Sequence, residues 1–126
     1  MTEEDEDAHP LLIETEGEVG QPVARTYVCI GVCRFNCEIK AYNVDGKVRC
    51  IIKSDCSCVQ RLGEALEDID PCSALKMPYS ENYIFQKSGE YLAHSTCPVP
   101  IAILKTIEVA SGLALPRDVE INIESC

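Results

Sequence analysis

Tryptophan is missing from this 126-residue chain, and histidine, phenylalanine and methionine occur twice each. Two histidines leave little acid–base chemistry near neutral pH. No Gly-x-Ser-x-Gly, phosphate-binding loop, dinucleotide fingerprint or His-Glu-x-x-His is present, so the common hydrolytic, nucleotide-binding and zinc-protease sites are excluded. No apolar run approaches the roughly 18–20 residues of a membrane span. The start, Met1-Thr2-Glu3-Glu4-Asp5-Glu6-Asp7, is the opposite of the basic opening of a secretory leader. A cytoplasmic location is expected, where thiols stay reduced.

Positive charge is scarce too. Lys and Arg total 11 against 21 acids, a net charge of −10. Residues 1–24 hold eight of the acids and no Lys or Arg. This stretch reads as an acidic tail, disordered or loosely docked, with Leu11-Leu12-Ile13 as a short apolar island. Residues 25–126 are near neutral and read as one domain. An acidic surface repels phosphate backbones, so nucleic-acid binding is not expected.

Against these shortages stand nine cysteines. The number is odd, so no intrachain disulfide scheme uses them all. A chain that is 46 % hydrophobic also has core enough to fold without staples. The cysteines are therefore expected to act as ligands, as oxidisable thiols or as plain core residues.

Local patterning gives an α+β fold in the order βββαααβ, with three helices on one face of a four-stranded antiparallel sheet. Thr26–Ile30 is β-branched and aromatic, and Gly31 ends it. Cys33, Phe35, Cys37, Ile39 and Ala41 alternate with polar residues as one inward strand face. Asp45-Gly46 signals a hairpin, and Lys47–Lys53 returns with Val48, Cys50 and Ile52 inward. Ser54-Asp55 offers an N-cap for a helix to Asp68 carrying Val59, Leu62, Leu66 and Ile69. Residues 71–80 read as loop, and 81–93 as a second helix. A third helix opens at Thr96-Cys97-Pro98, lined by Ile101, Leu104 and Ile107 and capped by Gly112. Val119, Ile121 and Ile123 alternate as a last strand.

Two helix starts thus carry cysteine: Cys56 and Cys58 at one, Cys97 at the other. Free N–H groups and the helix dipole favour a thiolate there. Both starts pointing at one site would gather sulfur for a cluster or an oxidant. Cys29, Cys33 and Cys37 share a four-residue spacing, which misses the three-cysteine pattern of radical enzymes by one residue. Gly31 allows a bend that turns Cys33 inward. Cys37 and Cys50 also read as small core hydrophobes. Cys72 in its loop can reach a site; Cys126 is given no role, and His94 reads as either a ligand or a surface residue. Zinc is less expected than an iron–sulfur cluster, because the paired C-x2-C knuckles of zinc sites are absent.

The segment His94-Ser95-Thr96-Cys97-Pro98-Val99-Pro100 running to Gly112-Leu113-Ala114-Leu115-Pro116 resembles the signature of a small cysteine-containing family. Gly31-Val32-Cys33-Arg34-Phe35 and Ser54-Asp55-Cys56 are similar to its other marked positions. That family is a domain of unknown function associated with methanogenic archaea and strict anaerobes. The resemblance covers residues 27–124, implies an anaerobic cytoplasm and marks Cys33, Cys56 and Cys97. The expected site is Cys33, Cys37, Cys56 and Cys97, with Cys58 and Cys72 as alternates, holding an iron–sulfur cluster or acting as oxidisable thiols. The expected function is an accessory protein for a larger oxygen-sensitive complex. The membrane-bound corrinoid-dependent methyltransferase of methanogenesis is one candidate partner, with this chain itself not embedded in the membrane. A thiol–disulfide oxidoreductase using Cys56 and Cys97, and a metal-free structural module, are the alternatives.

Overall fold

A computed structural model describes residues 20–126. The expectations for residues 1–19, including the apolar island at 11–13, lie outside the described residues. The rest is α+β, as the patterning indicated. Its sheet has three antiparallel strands in the order β1-β2-β3: β1 (Ala24–Cys29), β2 (Asn36–Val44) and β3 (Lys47–Ser54). Four α-helices follow among the described residues: α1 (Ser57–Ala65), α2 (Pro71–Ala74), α3 (Tyr83–Tyr91) and α4 (Val99–Ala110). A 3-10 turn at Tyr79–Glu81 precedes α3.

The hairpin forms where Asp45-Gly46 placed it. Both residues take positive φ, 52° and 81°, matching a tight turn whose twist suits the strands. Cys37, Ile39, Ala41, Val48, Cys50 and Ile52 point into one core. α1 covers β3, and α4 covers β1 and β2. Val59 and Leu62 are the buried anchors of α1; Ile103 and Ile107 are those of α4. Thr106 ties α4 to the sheet edge: its hydroxyl lies 2.6 Å from that of Thr26.

Five expectations need correction. β2 starts at Asn36, so Cys33 and Phe35 are exposed and outside the strand. The cause is a turn over Gly31 (φ 115°) and Arg34 (φ 64°), closed by the Arg34 N–H donating to the Gly31 carbonyl at 2.8 Å. α1 stops at Ala65, because Ile69 leaves the helical register to bridge Val48 in antiparallel fashion. Residues 71–80 hold the short α2 and the 3-10 turn as well as loop; Asp70 caps α2 by accepting from Cys72 N–H. Ile101 is exposed, and α4 instead buries Val99, Pro100, Ile103, Thr106, Ile107 and Ala110. The last strand does not form. Val119, Ile121 and Ile123 alternate as expected, but no strand of the described chain pairs with them. Alternation encodes a two-faced segment and says nothing of whether a neighbour exists.

Candidate functional site: a thiol-lined end of the sheet

The site lies where β2 begins, β3 ends and two helices start. Cys37 pairs in register with Ser54. The Ser54 hydroxyl donates to the Asn36 carbonyl at 2.7 Å and accepts from the Cys56 N–H at 3.1 Å. An Asp55 carboxylate oxygen accepts from the Asn36 N–H at 3.2 Å. Gln60 reaches back from α1 to accept from the Ser54 N–H at 3.0 Å. Ser54 and Asp55, expected to cap α1, instead stitch the strand ends together. Cys56 itself is the capping residue, and its side chain makes no capping hydrogen bond.

Cys97 comes from the other side. Its N–H donates to the His94 carbonyl at 3.3 Å, and Pro98 is the residue that caps α4. Cys97 and Cys56 act electrostatically on the Cys37 thiol, and Cys56, Cys33 and Cys58 act on Cys97. Of the expected residues, Cys37, Cys56 and Cys97 thus come to this end of the sheet from three elements, with Cys33 and Cys58 near enough to act on Cys97. Cys72 does not: it lies on α2, exposed, and is not among the charges acting on Cys37 or Cys97.

The chemistry of the thiols differs from the helix-start expectation. Burial pushes Cys37 up to about 12 from an ordinary 9.0, and the neighbouring Cys97 and Cys56 add to the rise. Burial also raises Cys97; the Val99 N–H donating to its sulfur pulls the other way and loses. Desolvation outweighs the helix N-terminus at this position. Cys50 is equally raised, to about 12, by burial alone and with no thiol neighbour. It is a core residue. The sulfur of Cys58 accepts from Arg61 at 3.7 Å, one turn along α1. That i,i+3 cation was readable in the sequence and was missed.

A tetrahedral zinc bound at about 2.3 Å would hold its sulfurs roughly 3.8 Å apart. Among the described residues no group of three or more His, Cys, Asp or Glu side chains is set to hold a metal ion. The thiols share one end of the sheet without closing on a single-ion point. Beside Cys97 opens a groove of about 550 Å³, walled by Tyr79, Phe85, Leu92, Pro100 and Ile101, with His94 at its rim. Tyr79 and Phe85 pack ring to ring at 4.9 Å. No described helix is long and apolar enough to cross a membrane.

Fold and site together define a small α+β domain with a thiol-lined end and an adjoining groove of mixed polarity. The chain belongs to a family of unknown function, DUF6951, whose model matches residues 24–123. No curated protein and no solved structure matches it.

Proposed function

We propose that this chain is an accessory binding protein whose clustered thiols form a redox-responsive site. The observation that carries the reading is that Cys37 on β2, Cys56 at the start of α1 and Cys97 before α4 lie at one end of the sheet, where Cys97 and Cys56 both act on the Cys37 thiol. Cys37 and Cys97 both resist ionising, and such thiols are relieved in two ways. A soft cationic group can replace their protons, or two of them can join. A cluster of several irons takes its ligands from a wider ring than one ion does, and its preference for thiolate sulfur suits this end. Cys33, Cys37, Cys56 and Cys97 would hold it; Cys58 is the alternate.

Without a cluster, oxidation joins two thiols. One S–S bond forms, and two protons and two electrons pass to the oxidant. Either event repacks the starts of α1 and α4 and changes the groove beside Cys97, the surface a partner would read. The partner proposed is a larger oxygen-sensitive enzyme complex, the corrinoid-dependent methyltransferase of methanogenesis being the candidate that the family resemblance suggests. Purification without oxygen, followed by iron and sulfide analysis and a visible spectrum, tests the cluster. Cys56→Ser and Cys97→Ser should lose the iron, and Cys50→Ser should keep it.

The second reading is a thiol–disulfide oxidoreductase. It is favoured by the partly exposed Cys97, which feels Cys56 electrostatically and stands in the wall of an open groove. It requires turnover of a disulfide substrate that Cys56→Ser and Cys97→Ser each abolish.

A further inference from the structure

Residues 118–124 have the pattern of a strand and pair with no strand of their own chain among the described residues. From Leu113 onward no helix or strand forms. Val119, Ile121 and Ile123 are 58 %, 74 % and 88 % exposed, and they alternate with Glu120, Asn122 and Glu124. Leu113 and Leu115 are exposed as well. A run of large apolar side chains left exposed along one segment is a candidate docking surface.

The sheet has the matching vacancy. Among the described residues β1 pairs with β2 alone, whereas the outer side of β3 is engaged at Val48 by Ile69. The Ile30 N–H donates toward β2, to the Phe35 carbonyl at 3.0 Å. Antiparallel alternation then turns the N–H and C=O groups of Arg25, Tyr27 and Cys29 to the open edge. An edge of this kind is a template for an added strand. The lengths agree: β1 has 6 residues, and the alternating run spans 118–124. Pro116 lies before that run, where a missing N–H costs no ladder bond.

We infer that the 118–124 arm of one copy adds as a strand to β1 of a second copy, which returns its own arm. Each copy holds one arm and one open edge, so two copies related by a two-fold axis satisfy both, while a foreign partner would satisfy only one. The family match runs from 24 to 123 and so contains β1 and the apolar arm within one domain.

Sedimentation of the full chain with a reductant present, so that no disulfide links the copies, tests this. The expected mass is twice 13.9 kDa. Ile121→Asp, which would place a carboxylate in the new ladder, should weaken the dimer about 100-fold or more. Met77→Asp, an equally exposed apolar position off the arm, should leave it intact. Hydrogen exchange supplies an independent reading on the unaltered chain: the amides of Arg25, Tyr27, Cys29 and the arm should be protected in proportion to the dimer present. A monomer at about 100 µM, a dimer indifferent to Ile121→Asp, or arm protection that ignores concentration would each overturn the inference.

Discussion

Cys50 and Cys37 show that the same residue type does different work four positions apart along one sheet. Both thiols are neutral in the folded chain, raised to about 12. Unfolded, each ionises near 9. A group with its folded pKa raised stabilises the fold fully below the unfolded value and loses that contribution as pH climbs towards the folded one. Between pH 9 and 12 each such thiol should therefore lower stability steadily as pH rises. Lysines and tyrosines titrate there too, so the comparison is with Cys50→Ala: urea unfolding of that variant should fall less steeply with pH than that of the parent. Equal slopes would mean that Cys50 is not protonated in the fold. Alkylation of the metal-free chain at pH 8 should modify the exposed Cys29 and Cys33 well before Cys37 and Cys50, as read by mass spectrometry. Helix-start position singled out Cys56, Cys58 and Cys97 in the sequence, and the family resemblance marked Cys33 beside Cys56 and Cys97. Neither was enough to give protonation, because desolvation depends on what α1, α4 and the sheet bring around each sulfur.

At the scale of elements, two side-chain positions set how the helices dock. Gly63 lets α1 lie against β3: a Cβ there would stand 2.7 Å from Cβ of Ile52. That neighbour is fixed to the strand and cannot swing away. Gly63→Ala gains about 1 kcal/mol of helix propensity and should lose about 1–3 kcal/mol to overpacking, so a lower urea midpoint is expected. A raised midpoint would refute the close packing. Asn82 is buried and fully used. Its Oδ1 accepts from the Ile84 and Phe85 N–H groups, and its Nδ2 donates to the Ala74 and Lys76 carbonyls. Asn82→Ala removes a cap and leaves buried partners bare, so a loss of about 2–4 kcal/mol is expected by thermal unfolding. Asn82→Asp should recover only the capping half. Elements with strong local punctuation were legible: Asp45-Gly46 for the hairpin, and Cys97-Pro98 for the approach to α4. The end of α1 was not, because Ile69 fits a helical face as well as it fits a bridge to Val48, and only the sheet decides between them. Nor was the start of β2, where alternation runs back smoothly to Cys33 and the turn at Gly31 and Arg34 overrides it.

For the whole molecule, the sheet gathers at one end thiols that are up to 64 positions apart in the chain, from Cys33 to Cys97. The helices above it leave a groove at that same end. The sequence shows both helix starts but not their distance, which is set by α1 packing on β3 while α4 packs on β1 and β2. Cys97 lines that groove, so in the proposed reading chemistry at the sulfurs alters its shape, and occupation of the site should stabilise the fold in proportion to its affinity. The most direct test is the iron and acid-labile sulfide content, with the visible absorption spectrum, of the full chain purified without oxygen, set beside its Cys56→Ser, Cys97→Ser and Cys50→Ser variants. A coloured protein that loses iron and sulfide with Cys56→Ser or Cys97→Ser, but keeps both with Cys50→Ser, is predicted. A colourless, iron-free protein whose thiols at 33, 37, 56 and 97 also stay reduced when oxidant is added would contradict the account.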